Sequence, residues 1–164
     1  MNMIEGLLAE LEQEAETTRR VLARIPHAHL SWKPHPKSMS LGQLALHVAT
    51  VPGNVAELAA MDTVPVPPNF IQAEASSAAE LVPALAESVA RARRALGGFD
   101  DAKMGAMWRL QRGGADIMAM PRVAFVRAIM LNHWYHHRGQ LTVYLRELDV
   151  PLPQIYGPTA DERW

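Results

Sequence analysis

The sequence predicts an all-α protein, a single four-helix bundle that forms one domain over residues 1–164. Three observations lead to this prediction. The 164 residues include 25 alanines, and alanine has the highest helix propensity. Four segments carry apolar residues every three or four positions, which is the spacing of one helix face. Most of the 12 prolines fall between these segments, where they separate helices. A chain of this length also fits one core better than two.

The first helix is expected over residues 3–25. Its apolar residues, from Ile4 to Ile25, recur at helical spacing, while most of its glutamates occupy the other face. Pro26 ends this helix. Residues 27–39 contain two prolines and predict an extended connection to the second helix.

The second helix is expected to begin at Ser40, because Ser40 followed by Gln43 is a capping-box sequence. Its apolar face includes His47. Pro52 and Gly53 interrupt the pattern, so we expect a kink there, or a break followed by a second start. Residues 62–76 contain three prolines and no lasting periodicity, which predicts a loop.

The third helix is expected over residues 78–96, with Ser77 and Glu80 as a second capping box. Pro83 indicates that the true start lies a few residues later. Residues 99–120 leave two interpretations open, a small hairpin or an irregular loop. The fourth helix is the longest, over residues 121–148, and proline is favourable at its first position.

Composition excludes several classes of protein. The net charge of −1 argues against a nucleic-acid partner and against an anionic membrane surface. No apolar run approaches the roughly 18–20 residues that span a bilayer, and the N-terminus does not resemble a signal peptide. We therefore expect a cytoplasmic protein without a membrane partner. The absence of cysteine excludes disulfides, thiolate catalysis and cysteine-based metal sites.

Three of the seven histidines lie within the apolar faces of predicted helices, namely His47, His133 and His137. The last two are four residues apart, so both imidazoles project from one face of the fourth helix. Such a pair can bind one metal ion, and His47 could supply the third ligand. Three imidazoles leave a coordination position open for water or substrate, as catalytic metal sites do.

The simpler interpretation is that these histidines are packed, hydrogen-bonded core residues. It would require a separate set of polar partners for each of the three imidazoles. The positions of the other four histidines are weaker evidence for metal binding. His136 could support the site from beside His137 or lie in solvent, and His27, His29 and His35 fall in the first connection, where solvated side chains are expected.

Two parts of the chain resemble the DinB/YfiT-like superfamily. The first is Asn132-His-Trp-Tyr-His-His-Arg-Gly-Gln-Leu-Thr142 with the following Tyr144-Leu-Arg146 and the tail 153–162, and the second is the stretch 32–47. The resemblance covers nearly the whole chain in the same order. It implies a four-helix bundle of up-down-down-up topology that forms a homodimer. It also implies a divalent metal ion, commonly Zn or Ni, held by His47, His133 and His137.

For function, the resemblance implies a metal-dependent enzyme that activates a thiol or water, similar to thiol S-transferases. The partner would then be a small-molecule substrate such as a low-molecular-weight thiol, and its sulfur must arrive with it because the chain has no cysteine. Two alternatives remain open, a metal-dependent hydrolase and a non-catalytic metal- or ligand-binding stress-response protein. Catalytic residues stay unassigned. Four side chains near the ligands, Asn132, Arg138, Gln140 and Tyr144, each have an ordinary structural role available.

Overall fold

A computed structural model describes residues 2–69 and 71–163. Most of the described chain is helical, and the helices surround one buried apolar cluster. The helices are α1 (Met3–Leu22), α2 (Leu41–Ala60), α3 (Leu81–Leu96), the short α4 (Asp101–Gly105) and α5, which joins the stretches Arg122–Phe125, Val126–Asn132 and His133–Glu147. Helix α2 packs against both α3 and α5. Among the described residues, no helix combines the length and apolarity needed to cross a membrane.

The predicted start of α2 is confirmed, because Ser40 and Gln43 form both hydrogen bonds of a capping box. The second predicted box is wrong. Ser77 caps a short 3-10 turn, Ala78–Glu80, and the Glu80 carboxylate accepts from the backbone N–H of Ser76 instead. Helix α3 then begins at Leu81, later than residue 78 as Pro83 indicated. Pro83 falls in the first turn, where a backbone N–H has no intrahelical partner.

Of the kink or break predicted in α2, the break is wrong, since one helix runs through Pro52 and Gly53. Pro52 has no N–H for the carbonyl of Val48, and the indole N–H of Trp134 donates to that oxygen at 2.8 Å. The N–H of Gly53 donates to Ser88 Oγ at 2.8 Å. A Cβ at Gly53 would lie 2.8 Å from the Ser88 carbonyl oxygen, so only glycine permits this approach of α3.

The all-α prediction is incomplete, because the chain also forms a three-stranded sheet. The strands are β1 (Thr63–Pro65), β2 (Met107–Arg112) and β3 (Ala115–Pro121), in the order β1-β2-β3. Of the two interpretations left open for residues 99–120, the hairpin is confirmed, preceded by α4. Gly113 and Gly114 form its turn with φ of 58° and 84°, and a two-residue turn with positive φ at both positions suits glycine. The fold is therefore more than a four-helix bundle.

Strand β1 lies within the segment predicted as a loop. It pairs in parallel with β2, so that Val64 stands opposite Leu110. Only its central residue, Val64, is buried. A three-residue strand ending in proline has too little alternation to be detected from sequence, and it forms because β2 offers it backbone partners.

Helix α5 has the extent that the sequence predicted, but it contains an irregularity. Residues Val126–Asn132 are wound as a π-helix, directly before His133. This winding adds a residue to the turn and is frequent at functional sites. His133 and His137 lie together in the regular stretch that follows, so their four-residue spacing keeps both on one face.

Candidate metal centre

The structure brings His47 of α2 together with His133 and His137 of α5. Each histidine offers one ring nitrogen, and these three nitrogens all lie within 4.8 Å of one another. His133 Nε2 is 3.5 Å from His47 Nε2 and 2.8 Å from His137 Nε2. Two nitrogens bound tetrahedrally to one zinc ion at about 2.0–2.1 Å stand about 3.3 Å apart. The observed separations lie on either side of that value, and the three side chains could hold one metal ion.

Oxygen atoms beside the outer nitrogens favour the Nδ1-protonated tautomer in two of these rings. His133 Nδ1 lies 3.2 Å from the carbonyl oxygen of Ile129, which can only accept, so Nδ1 carries the proton. His137 Nδ1 donates to the amide oxygen of Gln140 at 2.7 Å. In that tautomer the inner Nε2 of each ring is unprotonated and carries a lone pair. Metal-binding histidines are oriented in this way by their outer nitrogen.

The surroundings keep all three imidazoles neutral at pH 7. Burial, helped by the neighbouring His137 and His133, lowers the pKa of His47 to about 4, and the side chain of Gln72 opposes this shift. Burial is also the largest cause that lowers the pKa of His133 and of His137. A neutral imidazole has the lone pair that a metal ion requires, so the bundle holds the three side chains in their binding form.

A cleft of about 410 Å³ opens beside His47 and His133. Its other walls come from α2 and from residues 71–73 of the loop before α3. The polar side chains in its lining are neutral, namely Thr50, Asn54 and Gln72. A cleft of this size takes a small molecule and places it next to the imidazoles.

Gln72 is a site residue that the sequence reasoning missed, because it lies in a segment without periodicity. Contacts with the start of α2 hold this segment in place. Gln43 Nε2 donates to the carbonyl oxygen of Gln72 at 3.3 Å, and the hydroxyl of Ser40 donates to the Glu74 carboxylate. Gly42 permits the close passage, since a Cβ there would lie 3.1 Å from Glu74 Cγ.

The other four histidines do not join the group. His136 is exposed, with its ring centroid 5.0 Å from that of His137. His27 and His29 are exposed on a 3-10 turn of the first connection, in place of the extended chain expected there. His35 is also exposed, and its Nδ1 accepts from the backbone N–H of Lys37.

Two of the four side chains noted near the ligands have structural partners. Arg138 is 2% exposed and forms a buried ion pair with Glu14, with a further hydrogen bond to the Tyr156 hydroxyl, so it ties α5 to α1 and to the C-terminal segment. Tyr144 donates to the Met39 carbonyl oxygen at 3.3 Å. Asn132 is exposed. Of the four, Gln140 touches a candidate ligand.

The fold is similar to that of solved structures. A crystal structure of a DinB-like protein from Bacillus cereus ATCC 10987 superposes with a TM-score of 0.72 at 23% identity, covering 95% of this chain and all of that one. A DinB-like protein of Bacillus subtilis, YjoA, gives 0.70 at 20% identity, covering 92% and 96%. At these identities the two structures establish the likeness of fold.

Sequence comparison extends the likeness to the whole chain. The uncharacterized protein YrdA of Bacillus subtilis strain 168 is 25% identical over 170 residues, which span 98% of this chain and 92% of that protein. The family model described as the DinB family matches residues 1–163. That match includes α2, α5 and all three of the converging histidines, and with it the chain belongs to the DinB family.

Proposed function

We propose that this protein binds one divalent metal ion, Zn or Ni, through His47, His133 and His137. One observation carries the proposal. The Nε2 atoms of His133 and His137 are 2.8 Å apart, and the hydrogen bonds at both Nδ1 atoms leave each Nε2 as a lone pair. Two lone pairs at this distance repel unless a cation lies between them. A metal ion meets that need with the ligand type it prefers.

We further propose that the protein is an enzyme acting on a small-molecule thiol. A bound metal ion would act as a Lewis acid and lower the pKa of a thiol or water that binds it. The chain's own residues hold the imidazoles neutral and leave a cleft open beside them. The neutral Thr50, Asn54 and Gln72 can orient a substrate by hydrogen bonds. A thiol suits this lining because, once its pKa is lowered, its proton can pass to solvent without a carboxylate base.

Hydrolysis is the second candidate, favoured by Gln72. Its amide lies in the cleft lining with His47 and could position a water molecule. A non-catalytic metal- or ligand-binding protein is the outcome if neither thiol nor hydrolysable substrate reaches the metal. The homodimer and the cytoplasmic location stay predictions, and sedimentation of the purified protein tests the first of them.

A cobalt-substituted protein tests the thiol proposal. Protein purified without an affinity tag is loaded with Co(II) and titrated with 2-mercaptoethanol. We expect stoichiometric Co(II) and a new sulfur-to-cobalt charge-transfer band as the thiol binds. The His133→Ala variant should bind no cobalt, whereas His136→Ala, which changes the exposed neighbouring histidine, should behave as wild type. A spectrum that no thiol alters would refute thiol activation, and cobalt retained by His133→Ala would refute the ligand set.

A further inference from the structure

A second cavity, of about 470 Å³, lies between the sheet and helices α2 and α5. Ten residues line it, and all ten are apolar. Its walls include Trp108 and Phe125, which are each 2% exposed and stacked with ring centroids 3.8 Å apart. Trp108 Nε1 donates to the Leu58 carbonyl oxygen at 3.0 Å, so the polar atom of the indole is already satisfied. An occupant therefore meets hydrocarbon surface in this cavity.

Two residues connect this cavity to the candidate metal centre. Leu58 lines both the apolar cavity and the cleft beside His47. Ile129 lines the apolar cavity, and its carbonyl oxygen accepts from Nδ1 of His133. A molecule that lies across Leu58 would have one end among apolar side chains and the other end beside the imidazoles.

We propose that this cavity binds the hydrocarbon part of a small amphipathic substrate, whose polar head lies in the cleft beside His47. The inference rests on the proposed function and adds a substrate class to it. An apolar cavity of about 150 Å³ already binds benzene, and this one is about three times larger. It therefore has room for a medium-length alkyl chain or a bicyclic group. The apolar lining offers no partner for a polar head, which places that head in the cleft.

The dimensions argue against a protein partner as the occupant. Stable protein interfaces involve about 20–30 residues on each side, whereas ten residues line this cavity. Its concave shape and volume are those of a small-molecule site. A second copy of the chain covering the cavity would appear in sedimentation as association that rises with protein concentration and falls when 1-octanol is added, and that outcome would refute a small-molecule occupant.

Straight-chain alcohols test the cavity without involving the metal. Binding of 1-butanol, 1-hexanol and 1-octanol to the full chain is followed by calorimetry and by NMR of the tryptophan indoles. We expect the dissociation constant to fall about fourfold for each added methylene. The His136→Ala variant, which changes an exposed side chain outside both cavities, should bind 1-octanol as wild type does. Absence of octanol binding, or an affinity independent of chain length, would overturn the proposal.

Variants that fill the cavity test whether the alkyl chain of the alcohol binds there. Met118 lines the cavity, and its neighbour Ile117 lies on the same strand outside the lining; they are 36% and 50% exposed. Met118→Trp should weaken octanol binding at least tenfold, whereas Ile117→Trp should leave it unchanged. Met61→Trp, at a lining residue that is 47% exposed, gives a second block should the first variant fold poorly. Equal affinity in blocked and control variants would place octanol elsewhere and refute the site.

The link to the metal is tested with thiols of increasing length on the Co(II) protein. We expect 1-hexanethiol to produce the charge-transfer band at lower concentration than 2-mercaptoethanol, and Met118→Trp to remove this advantage. If no thiol produced the charge-transfer band while octanol still bound, the proposed function would be refuted and the cavity would remain an apolar binding site. If both thiols gave the band at the same midpoint concentration, the proposed function would stand and the amphipathic substrate class would be refuted.

Discussion

At the scale of single residues, the candidate centre depends on histidines that are prevented from taking up a proton. Their Nε2 atoms converge while His133 and His137 are oriented through their outer nitrogens. Burial then disfavours the charged imidazolium in all three rings. In the metal-free protein this arrangement lowers the free energy of unfolding at low pH. A protonated ring must either leave its buried position or repel the other protonated rings.

We therefore expect the metal-free protein to lose stability as the pH falls below about 6.5. The pKa of His47 is about 4 in the folded protein and about 6.5 in an unfolded chain. Between these values the unfolded state binds more protons, so the free energy of unfolding decreases as the pH decreases. The loss attributable to His47 should be about 1–3 kcal/mol, allowing for its partial exposure. Urea denaturation in EDTA from pH 7.5 to 4.5 measures it.

The His47→Gln variant is the control for this pH dependence. It removes the ring whose pKa is lowered to about 4 and leaves His133 and His137 in place. Its unfolding free energy should fall less steeply between pH 6.5 and 4.5 than that of wild type, while the carboxylates that titrate below pH 5 affect both proteins alike. Identical slopes for the two proteins would show that burial of His47 does not govern its protonation.

At the scale of elements, the contact between α2 and α5 is built around Pro52. The proline removes the partner of the Val48 carbonyl, and Trp134 of α5 provides a replacement. Trp134 is fully buried. Because Trp134 directly follows His133, this hydrogen bond also sets how the histidine-bearing face of α5 meets α2. The interruption in the sequence pattern of α2 is thus the point at which α5 is fixed.

A double-mutant cycle at Trp134 and Pro52 tests this explanation. Trp134→Phe should destabilise the protein by about 1–3 kcal/mol for the unpaired carbonyl, in addition to the loss of packing. Pro52→Ala supplies an N–H that can bond to Val48. Its effect should be more favourable in the Trp134→Phe background than in wild type, by about 1 kcal/mol. Guanidinium unfolding of the four proteins gives the coupling energy. Additive effects would show that the carbonyl does not connect the two residues.

Elements with their own periodicity could be predicted from the sequence, and elements that depend on partners could not. The long helices and the capping box at Ser40 follow from local pattern. Strand β1 has three residues and exists through β2, and the π-helical turn before His133 leaves the spacing of the histidines intact. The four-residue spacing in α5 indicated a candidate site. Gln72 reaches that site through loop contacts with α2, which no local pattern records.

At the scale of the whole molecule, the candidate ligands join parts of the chain that are far apart in sequence. His47 and His133 are separated by 86 positions, and they belong to two helices that pack at the centre of the fold. The sheet and the loop before α3 add the two cavities on either side of Leu58. A metal ion bound to all three histidines requires the folded arrangement, because the unfolded chain does not hold His47 near α5.

Metal binding should therefore raise the stability of the entire protein. At a free metal concentration one hundred times the dissociation constant, the unfolding free energy should rise by about 2.7 kcal/mol. For a chain of this size the melting temperature should rise by about 5–10 °C. Differential scanning calorimetry before and after chelation measures this change. His133→Ala should melt at the same temperature with and without the chelator, whereas His136→Ala should respond as wild type does, because its side chain lies outside the group. A wild-type melting temperature that chelation leaves unchanged, in protein shown to contain the metal, would mean that the ion binds outside the folded core.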